Sequence, residues 1–126
     1  LDIDRFKSIN DGHGHDVGDA AIVHIADQMR RYSRDSDILC RAGGEEFLLL
    51  LPGISTDSAR QAGERLRQHI ADHPFEPVGT ITVSLGVAHF PSFHVDAEQA
   101  LRLADKALYM AKEQGRNRVV VYPYAD

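Results

Sequence analysis

The stretch Arg41-Ala42-Gly43-Gly44-Glu45-Glu46-Phe47 sets two adjacent glycines and two adjacent carboxylates between apolar runs, Ile38-Leu39-Cys40 before it and Phe47-Leu48-Leu49-Leu50-Leu51 after it. Two apolar runs joined through Gly-Gly are the signature of a β-hairpin, so the middle of the chain is committed to antiparallel sheet with a two-residue turn at Gly43-Gly44. Side chains alternate along a strand, which places Glu45 and Glu46 on opposite faces of the second strand. A turn without Cβ atoms also lets a large ligand approach its backbone. Taken alone, the same residues read more readily as a tight turn followed by two solvated acids, and it is the rest of the chain that reverses this.

The flanking sequence supplies the other elements. A strand end at 1–3 leads into a short helical turn at 6–10 and a glycine-rich loop at 11–16. Ala21, Ile22, Ile25, Ala26 and Met29 recur at helical spacing, with Asp16 or Asp19 available as a cap, so a helix is expected to about Tyr32. Beyond Pro52-Gly53, Thr56-Asp57-Ser58 opens a helix with the stripe Ala59, Ala62, Leu66 and Ile70, ending before Pro74. Residues 80–87 alternate as a strand with Ile81, Val83, Leu85 and Val87 on one face. Asp96 is the expected cap of a last helix carrying Ala97, Ala100, Leu101, Ala104, Ala107, Leu108 and Ala111, closed by Gly115, and 119–122 form a final strand. The order β, α, α, β-hairpin, α, β, α, β predicts an α+β fold of the α/β-sandwich type, a central mixed sheet surrounded by helices. The 126 residues, 43% hydrophobic, make one domain around one core, 1–126. Because Leu1 falls in a strand already under way, the chain reads as a fragment of something longer.

A net charge of −5 argues against a duplex nucleic-acid binder, which needs a basic face, so neither DNA nor RNA is expected as a partner. The longest apolar run falls far short of the ~20 residues that span a bilayer. A single cysteine, Cys40, in an expected buried strand, fits a reducing cytoplasm, with a longer parent protein free to be membrane-anchored.

Asp2 closes the first strand just before a loop, where mixed sheets commonly place ligands. Beside the hairpin, it would meet Glu45 or Glu46, and two carboxylates with a backbone carbonyl such as that of Ile3 make a hard oxygen site suited to Mg²⁺ and phosphate. His13 and His15 lack a partner pair at zinc spacing, and they stand where a calcium loop counted from Asp11 needs oxygen ligands. No Gly-Lys-Ser/Thr phosphate loop is present. The N–H groups around Arg5, Phe6 and Lys7 open a helical turn and form a candidate phosphate cradle. Lys112 and Arg116, four apart near the end of the last helix, are either phosphate ligands or cations offsetting the helix dipole. Asn10 and Asp19 can meet the donor edge of guanine, or can simply support the ends of their helices.

Taken together these residues resemble the GGDEF domains, bacterial diguanylate cyclases that condense two GTP into cyclic di-GMP and pyrophosphate. The resemblance rests on 1–11 (Leu-Asp-Ile-Asp-Arg-Phe-Lys-Ser-Ile-Asn-Asp), 14–19 (Gly-His-Asp-Val-Gly-Asp), 41–47, 83–87 (Val-Ser-Leu-Gly-Val), and 104–109 (Ala-Asp-Lys-Ala-Leu-Tyr) with Lys112 and Gly115-Arg116-Asn117, in the family's order over nearly the whole chain. It implies a fold similar to nucleotidyl cyclase and polymerase palm domains. Asp2, Glu45 and the Ile3 carbonyl would hold Mg²⁺, or Mn²⁺. Glu45 and Glu46 are the implied catalytic acids, with Glu45 or a metal-bound hydroxide taking the proton. GTP would be bound by Phe6, Lys7, Asn10, Asp19, Gly43, Gly44, Lys112 and Arg116. Two domains must face each other, so a homodimer is implied, and an N-terminal regulatory domain is expected in the parent protein. Arg34-Asp35-Ser36-Asp37 has the spacing of the family's inhibitory Arg-x-x-Asp product site, to which Arg65 is similar to a contributor. The family's opening helix and Asp-x-Leu-Thr-Gly turn are absent from 1–126, which predicts a fragment that binds ligand and turns over poorly. Two other readings are a cyclic di-GMP receptor without turnover and a structural dimerisation domain.

Overall fold

The computed structural model describes residues 1–89 and 97–123. In chain order the elements are β1 (Asp2–Ile3), α1 (Phe6–His13), α2 (His15–Arg31), β2 (Ile38–Gly43), β3 (Glu46–Leu50), α3 (Thr56–Asp72), β4 (Val83–Ala88), α4 (Ala97–Glu113) and β5 (Val119–Tyr122). The five strands form one sheet in the order β2-β3-β1-β4-β5. Among the described residues β4 and β5 pair in parallel, around the α4 crossover, and the other pairings of this sheet are antiparallel. The sheet is therefore mixed and the fold α+β, as the element order predicts.

Both faces of the sheet are covered, and neighbouring residues of β4 show how. A Cβ on Gly86 would lie 2.1 Å from the Ala104 carbonyl oxygen, so α4 packs directly on that face. Leu85 points the other way, 3.6 Å from where a Gly63 Cβ would sit on α3. Ile22, Ile25 and Met29 of α2 join Leu66 and Ile70 of α3 on this second face, over Ile3, Phe47, Ile81, Val83 and Leu85. The α4 face is polar toward β1. Asp2 stands opposite both Glu46 and Ser84, and directly paired residues share a face, so the acids of β1 and of the hairpin look toward α4.

Several local expectations are corrected. The hairpin turns at Gly44-Glu45, not Gly43-Gly44; Gly43 still pairs with Glu46, and the register shifts between Arg41 and Gly43. Gly43 (φ 151°) and Gly44 (φ 50°) both use backbone that favours glycine. Glu45 consequently lies in the turn, and the two glutamates do not alternate along one strand. Cys40 is exposed, on β2 at one edge of the sheet. The loop expected at 11–16 shrinks to Gly14 (φ 89°): α1 continues to His13, and α2 starts at His15 with Gly14 as its cap rather than Asp16 or Asp19. In α3 the cap is Ser55, whose hydroxyl accepts from the Ser58 N–H. Leu101 is 43% exposed, off the buried Ala100, Ala107, Leu108 and Ala111 stripe of α4. The expected cap Asp96 lies outside the described residues. Among the described residues no helix is long and apolar enough to cross a membrane.

Candidate functional site

Residues far apart in the chain meet at the carboxyl end of β1. Asp2 is 3% exposed. The Ile3 N–H donates to the Glu45 carbonyl (3.2 Å) and the Asp4 N–H to the Thr82 carbonyl (3.0 Å), fixing this strand end to the hairpin turn and to the approach of β4. Lys112, from the last turn of α4, donates to Asp2 Oδ2. Burial pushes the Asp2 carboxyl above its ordinary range; the hydrogen bond and charge of Lys112 oppose this, and the charges of Glu45 and Glu46 reinforce it. A buried carboxylate with two acids nearby favours a cation at its side, and Lys112 supplies one.

The donor set fits a hard divalent cation. Among the described residues no three His, Cys, Asp or Glu side chains form a metal cage. Asp2, one hairpin carboxylate and a carbonyl would leave coordination positions for water and phosphate oxygens, as Mg²⁺ prefers. His13 and His15 are exposed on either side of Gly14 and belong to no such cluster.

Of the residues expected to meet phosphate, Lys112 is the one in contact with Asp2. Arg5 precedes α1 in a left-handed conformation (φ 55°, ψ 35°) with no side-chain cap, so the first-turn N–H groups, those of Phe6 and Lys7 among them, receive no capping side chain. The Gly115 and Arg116 amides close α4 by donating to the Lys112 and Ala111 carbonyls, and Arg116 follows in a left-handed conformation (φ 66°). Lys112 and Arg116 thus stand at the end of α4 that reaches β1. Asn10, in α1, has a buried Oδ1 without a partner, an acceptor awaiting a donor; it lies against Gly18, where a Cβ would fall 1.8 Å from it. Asp19 is exposed on α2, one residue further on.

Arg34 and Asp37 lie in the α2–β2 connection and bind each other. The Arg34 Nε and Nη2 donate to Asp37 Oδ1 (3.2 and 3.1 Å), and Nη2 also donates to the Pro52 carbonyl (2.9 Å). Arg65 is exposed on α3, and among the described residues neither a hydrogen bond nor an ion pair joins it to them.

One buried acid beside Asp2 stands outside the candidates offered by the sequence. Asp4, 7% exposed, accepts from Ser84 Oγ at Oδ1 (2.6 Å), and from Thr82 Oγ1 (2.7 Å) and the Asn117 N–H (3.0 Å) at Oδ2. Its proximity to Asp2 in sequence was visible; its partners, some 80 to 110 residues away, were not.

A mixed sheet with an acid-bearing hairpin at one edge, a short first strand that opens on a buried aspartate and a lysine delivered by the crossover helix together make a palm-like α+β domain. The chain belongs to the family described as diguanylate cyclase, GGDEF domain, whose model matches residues 1–118. It is 46% identical over 125 residues to diguanylate cyclase DgcP of Pseudomonas aeruginosa, covering 96% of this chain and 18% of that protein. Among solved structures, it is similar to the active GGEEF domain of a diguanylate cyclase from Vibrio cholerae (TM-score 0.90, 38% identity, 98% of this chain and 80% of that one). It is also similar to the GGDEF domain of DgcB from Caulobacter crescentus in complex with c-di-GMP (TM-score 0.89, 33% identity, 95% of this chain and 73% of that one). The chain spans well under two thirds of the curated relatives: 34% and 28% of two others.

Proposed function

We propose that this domain, paired with a second copy in the protein that contains it, condenses two GTP into cyclic di-GMP with release of pyrophosphate. The observation that carries the reading is the convergence of Asp2, the Gly44-Glu45 turn and Lys112 at one end of β1. Each 3′-hydroxyl attacks the α-phosphorus of the facing nucleotide; the new P–O bond forms as the bond to the β-phosphate oxygen breaks. Asp2, Glu45 and the Ile3 carbonyl would hold the divalent cation, Mg²⁺ or Mn²⁺, which when bound supplies positive charge to the phosphate oxygens. Lys112 turns from Asp2 to the phosphates, and Arg116 and the N–H groups of Phe6 and Lys7 share the load. Gly43 and Gly44 keep the hairpin low enough for the nucleotide to lie over it. Asn10 and Asp19 take the guanine edge, and Glu45, with Glu46 beside it, accepts the hydroxyl proton. Holding two substrates face to face is the role of the dimer.

Arg34, Asp37 and Arg65 are the proposed product site. The Arg34 guanidinium is half exposed while the Asp37 carboxylate is buried: Arg34 turns to O6 and N7, and Asp37, held in place by the Arg34 backbone N–H, takes the amine protons. An N-terminal regulatory domain in the parent protein controls when two such domains meet.

The test is incubation of this chain, and of a longer protein containing it, with GTP and Mg²⁺, following cyclic di-GMP and pyrophosphate. Glu45→Ala is expected to lower kcat/KM by at least ~3 kcal/mol of transition-state stabilisation. Absence of product from the longer protein at every concentration, with tight cyclic di-GMP binding lost in Arg34→Ala, would make the domain a receptor instead.

A further inference from the structure

Asp4 shares the α4-facing side of the sheet with Asp2, yet its oxygens are already committed to three protein donors, so it is not a free cation ligand. Its bond to the Asn117 N–H reaches a turn of unusual backbone. Arg116 (φ 66°) and Asn117 (φ 47°) are consecutive non-glycine residues in left-handed conformation, which persists only where the surroundings impose it. Three contacts do so: Asp4 on the Asn117 N–H, Arg67 Nη1 of α3 on Asn117 Oδ1 (2.9 Å), and Arg118 Nε on the Arg116 carbonyl (3.0 Å). Arg67 is itself tied to Glu64 (3.0 Å). The turn that presents Arg116 is thus braced from β1 on one side and from α3 on the other.

From this brace we infer that Asp4 is a positioning residue for the triphosphate: it fixes the 116–117 turn against the Asp2 end of β1 and so aims Arg116. The inference rests on the reading of Arg116 as a phosphate ligand. Its effect belongs to the phosphates and not to the base, since Asn10 and Asp19 stand on other elements. Asp4→Asn keeps a carbonyl oxygen for the Asn117 N–H and an amide that Ser84 can accept, so it serves as the conservative rescue.

The experiment combines amide hydrogen exchange on the ligand-free chain with calorimetry using GTP and GMP. In the wild type and Asp4→Asn the Asn117 amide is expected to be protected. In Asp4→Ala it exchanges freely, GTP affinity falls roughly tenfold and GMP affinity is unchanged. Asp4→Ala adds nothing to the loss already caused by Arg116→Ala, because both remove the same contact. Should Asp4→Ala not fold, Ser84→Ala, which removes the donor holding Asp4 Oδ1 and leaves Asn117 and its Arg67 bond intact, is expected to raise exchange at the Asn117 amide and lower GTP affinity without touching GMP. Equal losses for GTP and GMP, or full additivity with Arg116→Ala, would overturn the positioning role alone. A wild-type chain that binds neither nucleotide while Asn117 stays protected would overturn the nucleotide reading and this role with it.

Discussion

Asn10 carries a buried oxygen with no hydrogen-bond partner among the described residues, and under the proposed function a bound guanine relieves the cost of that atom. The space for it exists because residue 18 is glycine, and an added methyl would fall 1.8 Å from that oxygen and 2.9 Å from Cγ. Gly18→Ala therefore separates stability from recognition. Within α2, alanine is a better helix former than glycine by about 1 kcal/mol, and the atoms in its way are the end of a side chain that can swing aside. Unfolding free energy in urea is expected to stay within about 1 kcal/mol of wild type, while calorimetric GTP affinity drops roughly tenfold as the Asn10 amide is displaced. Unaltered GTP affinity in a folded Gly18→Ala protein would remove Asn10 from the guanine site. Asn10 was legible in the sequence as one of two polar residues beside a glycine-rich run. Gly18 was not singled out, because what distinguishes it from nine other glycines is an approach between two helices.

Among the elements, β4 and α4 are held at the distance Gly86 permits. A Cβ there would meet the Ala104 carbonyl oxygen at 2.1 Å and the Leu108 nitrogen at 2.4 Å, both backbone atoms of a helix that can yield only by moving as a whole. Gly86→Ala is expected to cost about 3 kcal/mol in urea unfolding, and, by lifting α4, to carry Lys112 away from Asp2. A loss below about 1 kcal/mol would mean that α4 floats over the sheet. The elements themselves were mostly readable, since hairpin signal, helical stripes and strand alternation are local patterns. What was misread depended on neighbours. Cys40 looks like a core strand residue until β2 proves to lie at one edge of the sheet, and Leu101 continues an apolar spacing that drifts off the face α4 buries. Gly12 reads as loop but sits inside α1 with nothing near it, so only Gly14, with its positive φ, ends the helix. The hairpin turn moved by one residue because the register shift before Gly43 is set by pairing with β3, which no local pattern encodes.

At the scale of the whole molecule the fold gathers Asp2, Glu45, Glu46 and Lys112 from across 110 residues and holds an acid where burial disfavours its charge. The consequence for stability has a definite sign. A carboxyl whose folded-state pKa is raised favours the folded protein when protonated, so its contribution is fully present below the unfolded value of 3.8 and is lost as pH climbs through the raised value. With a chelator present, the wild type is therefore expected to lose stability, relative to Asp2→Asn, as pH rises from below 4 toward neutrality. Asp2→Asn removes that titration while leaving an oxygen for Lys112, whose partly exposed ammonium otherwise turns to solvent. Thermal melts across this range should show the variant's curve flatter and its melting temperature at pH 7 equal to or above that of the wild type. Addition of Mg²⁺ and GTP is expected to reverse the order, because ligands that bind only the folded state raise its stability and the variant has lost the carboxylate that would hold the cation. A variant less stable than wild type at pH 7 under chelation would show that Asp2 serves mainly as the structural partner of Lys112, and equal ligand-induced shifts in the two proteins would place the cation elsewhere.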